Sequence, residues 1–161
     1  MRLFKEEKDF IKTEVQNSIS DEVKQQQKNA EEEGKELLKK TKFFKDVQKI
    51  ANQLNGKEVK MDVSLWNYDE VEVETAYGQN LPIRVEVKKI LDHGIDGLDE
   101  FSWYDDFDSI LTKVSLGVKC PSEDERYSTI LNIIESVKTS IRETVKARCG
   151  QYLNNIRSAN I

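Results

Sequence analysis

One histidine, His93, and two cysteines, Cys120 and Cys149, are the most reactive side chains available to this 161-residue chain, and their scarcity limits what it can catalyse. A nucleophilic Ser/His/Asp or Cys/His system would have to use His93 as its base. His93 precedes Gly94 in a Gly- and Asp-rich segment that reads as an exposed turn. With 30 acidic residues some carboxylate pair is always at hand, so acid–base chemistry has no specific address. No Cys/His cluster has zinc-ligand spacing, and no glycine-rich phosphate loop is present. The expectation is a non-enzymatic protein with no catalytic residue, no metal and no cofactor.

Residues 92–100 invite a calcium test. Asp92, Asp96, Gly97 and Glu100 fit the first, fifth, sixth and ninth positions of a calcium loop, but Gly94 and Trp103 occupy the third and twelfth, where a side-chain ligand and a bidentate carboxylate are needed. A solvated acidic turn with at most a weak metal site is expected. Gly94-Ile95-Asp96-Gly97 also has the form of an RNA-clamping GxxG loop, yet the flanking Asp92, Asp99 and Glu100 would repel phosphate.

The strongest binding signal is a concentration of acids and aromatics: Trp66, Tyr68, Asp69, Glu70, Glu72 and Glu74, then Asp99, Glu100, Trp103, Tyr104, Asp105, Asp106 and Asp108. Aromatic rings give contact area at low entropic cost, and surrounding carboxylates steer a basic partner. Glu70, Glu72 and Glu74 alternate with Val71 and Val73, which on a strand sets the charges about 7 Å apart on one face, near the spacing of a phosphate row. These thirteen residues are the expected surface for a basic protein partner. The rival surface is a basic stripe, Lys138, Arg142, Lys146 and Arg148, suited to nucleic acid. An overall charge of −5 favours the first reading.

Charge is unevenly distributed. Residues 1–56 carry a net +1, residues 57–110 a net −9 and residues 111–161 a net +3. Three kinds of segment must position these groups. Residues 3–55 lack proline and hold one glycine, with apolar residues at Ile11, Val15, Ile19 and Val23 and again at Leu37, Phe44, Val47, Ala51 and Leu54. This is helical spacing, either one long helix or two with a fresh start at Ser20, and it leaves a face for coiled-coil pairing with a second copy. From residue 57 the period becomes two. Val59, Met61, Val63 and Leu65, then Val71, Val73, Thr75 and Tyr77, then Leu81, Ile83, Val85 and Val87, and last Ile110, Thr112, Val114, Leu116 and Val118 alternate in the manner of strands. Pro121-Ser122-Glu123-Asp124-Glu125 matches a capping box, and apolar residues from Tyr127 to Ile156 then follow at helical spacing.

The expected fold is therefore a single α+β domain. A helical arm spans residues 1–55, a four-stranded antiparallel meander with an acidic loop at 91–108 spans residues 57–119, and a long helix over residues 122–158 packs on the sheet. Charges within residues 1–9 interrupt any leader-type apolar core, and a cytoplasmic protein with reduced cysteines is expected. The functional expectation is an acidic interaction module of the inhibitor, immunity, anti-defence or chaperone type, with nucleic-acid mimicry as its device. Its partners would be a basic protein and, through the helices, a second copy of the chain.

Overall fold

The computed structural model describes residues 1–53, 56–61, 71–75, 80–83 and 98–158. Among the described residues four α-helices dominate: α1 (Lys5–Lys39), α2 (Lys42–Gln53), α3 (Asp105–Leu116) and α4 (Arg126–Ser158), with a 3-10 turn at Glu123–Glu125 before α4. The chain divides into two compact units, Met1–Gln27 with Glu100–Ala147, and Lys28–Asp99 with Arg148–Ile161.

In the first unit the core is helix on helix. Ile11, Val15, Ile19 and Val23 of α1 and Ile133, Val137, Ile141 and Val145 of α4 are almost wholly buried, each set recurring every fourth residue. A four-residue step advances roughly 40° beyond a full helical turn, so each buried row winds around its helix and needs more than one neighbour to cover it. Phe107 and Leu111 of α3 supply further buried surface in the same unit. Two ion pairs fix the direction of the long helices. Glu7 meets Arg126 at 2.6 Å and Glu22 meets Arg142 at 3.0 Å, so numbers rise together and α1 runs parallel to α4 in this unit.

The two rows share more than spacing. Ile11, Val15, Ser18, Ile19, Val23 and Lys24 recur as Ile133, Val137, Ser140, Ile141, Val145 and Lys146, 122 residues later. The helices thus bring nearly the same apolar ladder to a common core.

The expected α+β architecture is overturned by α3. Residues 110–118, expected as the last strand of a four-stranded meander, belong to a helix and the turn that ends it. The long C-terminal helix buries its stripe in a helical core of the first unit instead of on a sheet. Among the described residues three short strands, β1 (Gly56–Met61), β2 (Val71–Thr75) and β3 (Asn80–Ile83), pair antiparallel in that order within the second unit, next to α2. They do not form the layer on which the fold was expected to rest.

Local chemistry explains the helix boundaries. Glu7 reaches back to the Phe4 backbone N–H at 2.8 Å and Glu6 and Glu7 favour the positive end of α1. The start expected at Ser20 lies inside α1. The break falls at Lys40 and Thr41, where the Thr41 hydroxyl accepts from the Phe44 N–H and caps α2. Ser122 takes the extended conformation of an N-cap but its hydroxyl makes no capping bond, so the expected capping box is replaced by the 3-10 turn.

In the second unit Ala30 and Leu38 of α1, Leu98, and Tyr152, Leu153 and Ile156 of α4 form a small core. A Cβ at Gly34 would stand 2.7 Å from the Tyr152 hydroxyl oxygen and 2.8 Å from its ring, so the glycine is what admits the ring. The Tyr152 hydroxyl has no hydrogen-bond partner among the described residues, and burial pushes its pKa up to about 12.

Two outcomes test this packing. Ile133→Ala in the first unit should lower stability by about 2–5 kcal/mol in chemical denaturation, since Ile133 is fully buried and a core relaxes only in part around a deleted side chain. Gly34→Ala, which helix propensity alone would make stabilising by about 1 kcal/mol, should instead destabilise, while Tyr152→Phe should be neutral or stabilising and should partly rescue Gly34→Ala.

Candidate partner-binding surface

The start of α3 carries most of the expected site residues that are described, and hydrogen bonds divide them into two kinds. The Ser102 hydroxyl accepts from the backbone N–H groups of Asp105 at 3.0 Å and Tyr104 at 3.3 Å, and the Ser102 N–H donates to the Asp106 carboxylate at 2.8 Å. This reciprocal pair caps the helix. Trp103 lies edge-on to Phe101, centroids 5.0 Å apart, and tilted against Phe107 at 6.2 Å. Asp106 and Trp103, expected as partner contacts, therefore build the helix start and its hydrophobic support.

Tyr104, Asp105 and Asp108 are different. Their spacing puts them on one helix face, all three are exposed, and Tyr104 has 77% of its surface open to solvent. Lys12 sits over one face of the Tyr104 ring, 4.5 Å from its centroid. Glu100 in the same unit and Asp99 in the second unit are also exposed. The carboxylates of Glu100, Asp105 and Asp108 form no ion pair among the described residues. Residues 103–108 owe their position to the capped helix, which an acidic first turn suits.

The other half of the expected surface is described only in part. Trp66, Tyr68, Asp69 and Glu70 lie outside the described residues, as do His93 and the glycines and acids of residues 92–97. Glu72 and Glu74 lie on β2, where the register sets Glu72 opposite Lys60 and Glu74 opposite Glu58.

The rival basic stripe is largely occupied. Lys138 pairs with Glu135 at 3.1 Å and Arg142 with Glu22 at 3.0 Å, while Arg148 also has an interaction partner. Lys146 is exposed. In the second unit Arg157 meets Glu33 at 3.2 Å.

The most elaborate polar site has no local signature in the sequence, because its partners lie 119 residues apart. Arg126 donates from Nε and Nη2 to both carboxylate oxygens of Glu7 and from Nη2 to the Arg2 carbonyl, with its guanidinium 4.5 Å from the Phe4 ring centroid. The Arg126 hydrogen bond, set against partial desolvation and helped by the Phe4 N–H, holds Glu7 below its ordinary carboxylate pKa of about 4.5. Each group has a partner, so the site is a clamp between α1 and α4 and presents no free functional group. Cys120 and Cys149 form no disulfide with each other, and burial raises the Cys149 pKa.

Among the described residues no three His, Cys, Asp or Glu side chains are grouped to hold a metal ion, and no helix is long and apolar enough to cross a membrane. No family model, curated protein or solved structure matches the chain.

A carboxylate held below its ordinary pKa in the folded state stabilises above its unfolded pKa and loses that contribution as pH falls through the folded value. Glu7→Gln should therefore be less stable than the parent at pH 7, and the gap should close as pH drops below about 4.5 and on through the lower folded pKa, measured as thermal midpoints across a pH series. A gap that is independent of pH would refute the clamp.

Proposed function

We propose that the chain is a non-enzymatic interaction module that captures and occludes a basic macromolecular partner, as an inhibitor, immunity, anti-defence or chaperone-type protein does. The observation that supports this is an asymmetry in the first unit: among the described residues its exposed acids Glu100, Asp105 and Asp108 form no ion pair and lie with an exposed tyrosine, whereas two of the bases on α4 are already bound by acids. Glu100, Asp105 and Asp108 would attract the partner at long range, and Tyr104 would supply desolvated contact area once it docks. On this face the carboxylates would take the place of the phosphates that a nucleic-acid-binding partner otherwise holds; in the second unit, taken by itself, Asp99, Glu72 and Glu74 carry charge of the same sign. Cys120 and Cys149, which form no disulfide with each other, suit a reducing, cytoplasmic site of action.

The second reading, nucleic-acid binding by Lys138, Arg142, Lys146 and Arg148, would require breaking the Lys138–Glu135 and Arg142–Glu22 pairs or sharing them with phosphates. That requirement is why it ranks second.

Affinity purification from the native cells separates the two. The tagged parent, treated with nuclease, should retain a basic protein in a salt-sensitive manner, and a Glu100→Lys, Asp105→Asn, Asp108→Lys variant with an unchanged helical spectrum should lose it. Retention that survives this variant, or that depends on intact nucleic acid, would overturn the proposal.

A further inference from the structure

A groove of about 640 Å³ lies between α3 and α4 in the first unit. Ile110, Val114 and Val118 line one wall, and Ser136, Ser140 and Ala147 the other. The first three recur every four residues and are only half-buried, so α3 and the turn after it carry a second apolar stripe beside the Phe107 and Leu111 row that enters the core. Leu116, the last residue of α3, is 76% exposed. On the α4 side the small residues leave room for another helix to seat close to the backbone. An apolar stripe and a small-residue stripe facing one another describe a seat without naming its occupant.

Charge names it. Lys113 stands on the α3 side and Glu143 on the α4 side, both exposed and neither in an ion pair among the described residues. A uniformly basic occupant would face Lys113 and a uniformly acidic one would face Glu143, each with like-charge repulsion. The fitting occupant carries an acid opposite Lys113 and a base opposite Glu143. The groove itself, turned by a two-fold rotation, meets that condition, because an isologous contact matches residue i to residue j and j to i. We propose that the α3–α4 groove is the interface of a two-fold homodimer, in which Lys113 of each copy faces Glu143 of the other across a seam of Ile110, Val114 and Ser140. This interface is independent of the acidic face at Tyr104, Asp105 and Asp108.

Sedimentation of the full chain from about 1 μM to about 1 mM tests this directly. The parent should pass from monomer to dimer in that range, and Ser140→Trp, which fills the groove, should remain monomeric. Lys113→Glu alone and Glu143→Lys alone each place two like-charge contacts in a dimer and should weaken association at least about tenfold. An equimolar mixture of these two variants should recover parental association, because every cross-pair is then opposite in sign. A parent that stays monomeric throughout overturns the proposal, as does a mixture no better than either variant. Uptake of an apolar dye by a monomeric parent, lost in Ser140→Trp, would assign the groove to a small apolar ligand and overturn it equally.

Discussion

Two helices that offer each other apolar residues every fourth position can slide by one step and still bury the same kinds of side chain. The Arg126 clamp removes that freedom in the first unit. Glu7 is the acid that Arg126 holds, the Arg2 carbonyl and Phe4 ring complete the site, and a slip of four residues would break all of these contacts at once. A partly desolvated ion pair with charge-assisted hydrogen bonds specifies one register, which a repeating apolar row does not. The second pair, Arg142 with Glu22, is half exposed and of the kind that contributes about 0.2–1 kcal/mol, so it agrees with the register without enforcing it.

With the register set, the rest of the first unit has its position defined. α3 inserts Phe107 and Leu111 into the core and rests its first turn on Trp103 and Phe101. The amino group of Met1 donates to the carbonyls of Ser115 and Val118 at 2.8 Å, satisfying acceptors where α3 ends. Both ends of α3 are thus tied, one by a serine cap and one by an ammonium group. That rigidity lets its acidic face and its half-buried stripe point in fixed directions, each available to a different kind of contact.

What could be read in advance depended on how far apart the interacting residues lie. The rows at Ile11 to Val23 and Ile133 to Val145 announce helices through spacing alone. Ile110, Val114 and Val118 are ambiguous, because every fourth residue is also every other second residue, and Thr112 and Leu116 between them complete a strand-like alternation. Phe107 and Leu111 break the tie: with Ile110 and Val114 they form the i, i+3, i+4, i+7 pattern of a helix, and Ser102 stands three residues before Asp105 as a cap. Ser122 has a stronger consensus, yet its hydroxyl makes no capping bond and a 3-10 turn follows it. Of the expected site, the acids on and before α3 are where a partner could reach them, while Trp103 and Asp106 are absorbed locally. The neutralisation of Arg142 by Glu22 joins residues 120 apart, and no local pattern reveals it.

That same separation gives the fold a temporal character. The Arg126–Glu7 and Arg142–Glu22 contacts close over 119 and 120 residues, so the first unit has high contact order despite being helical, and its folding should lack the speed of an ordinary bundle. On a ribosome adding about 5–20 residues per second, the α1 ladder waits roughly 6–24 s for its mate to be synthesised. During that interval four isoleucine and valine side chains have no permanent shelter, and the nascent chain is most exposed to mispairing with the α1 of its neighbours on the same message.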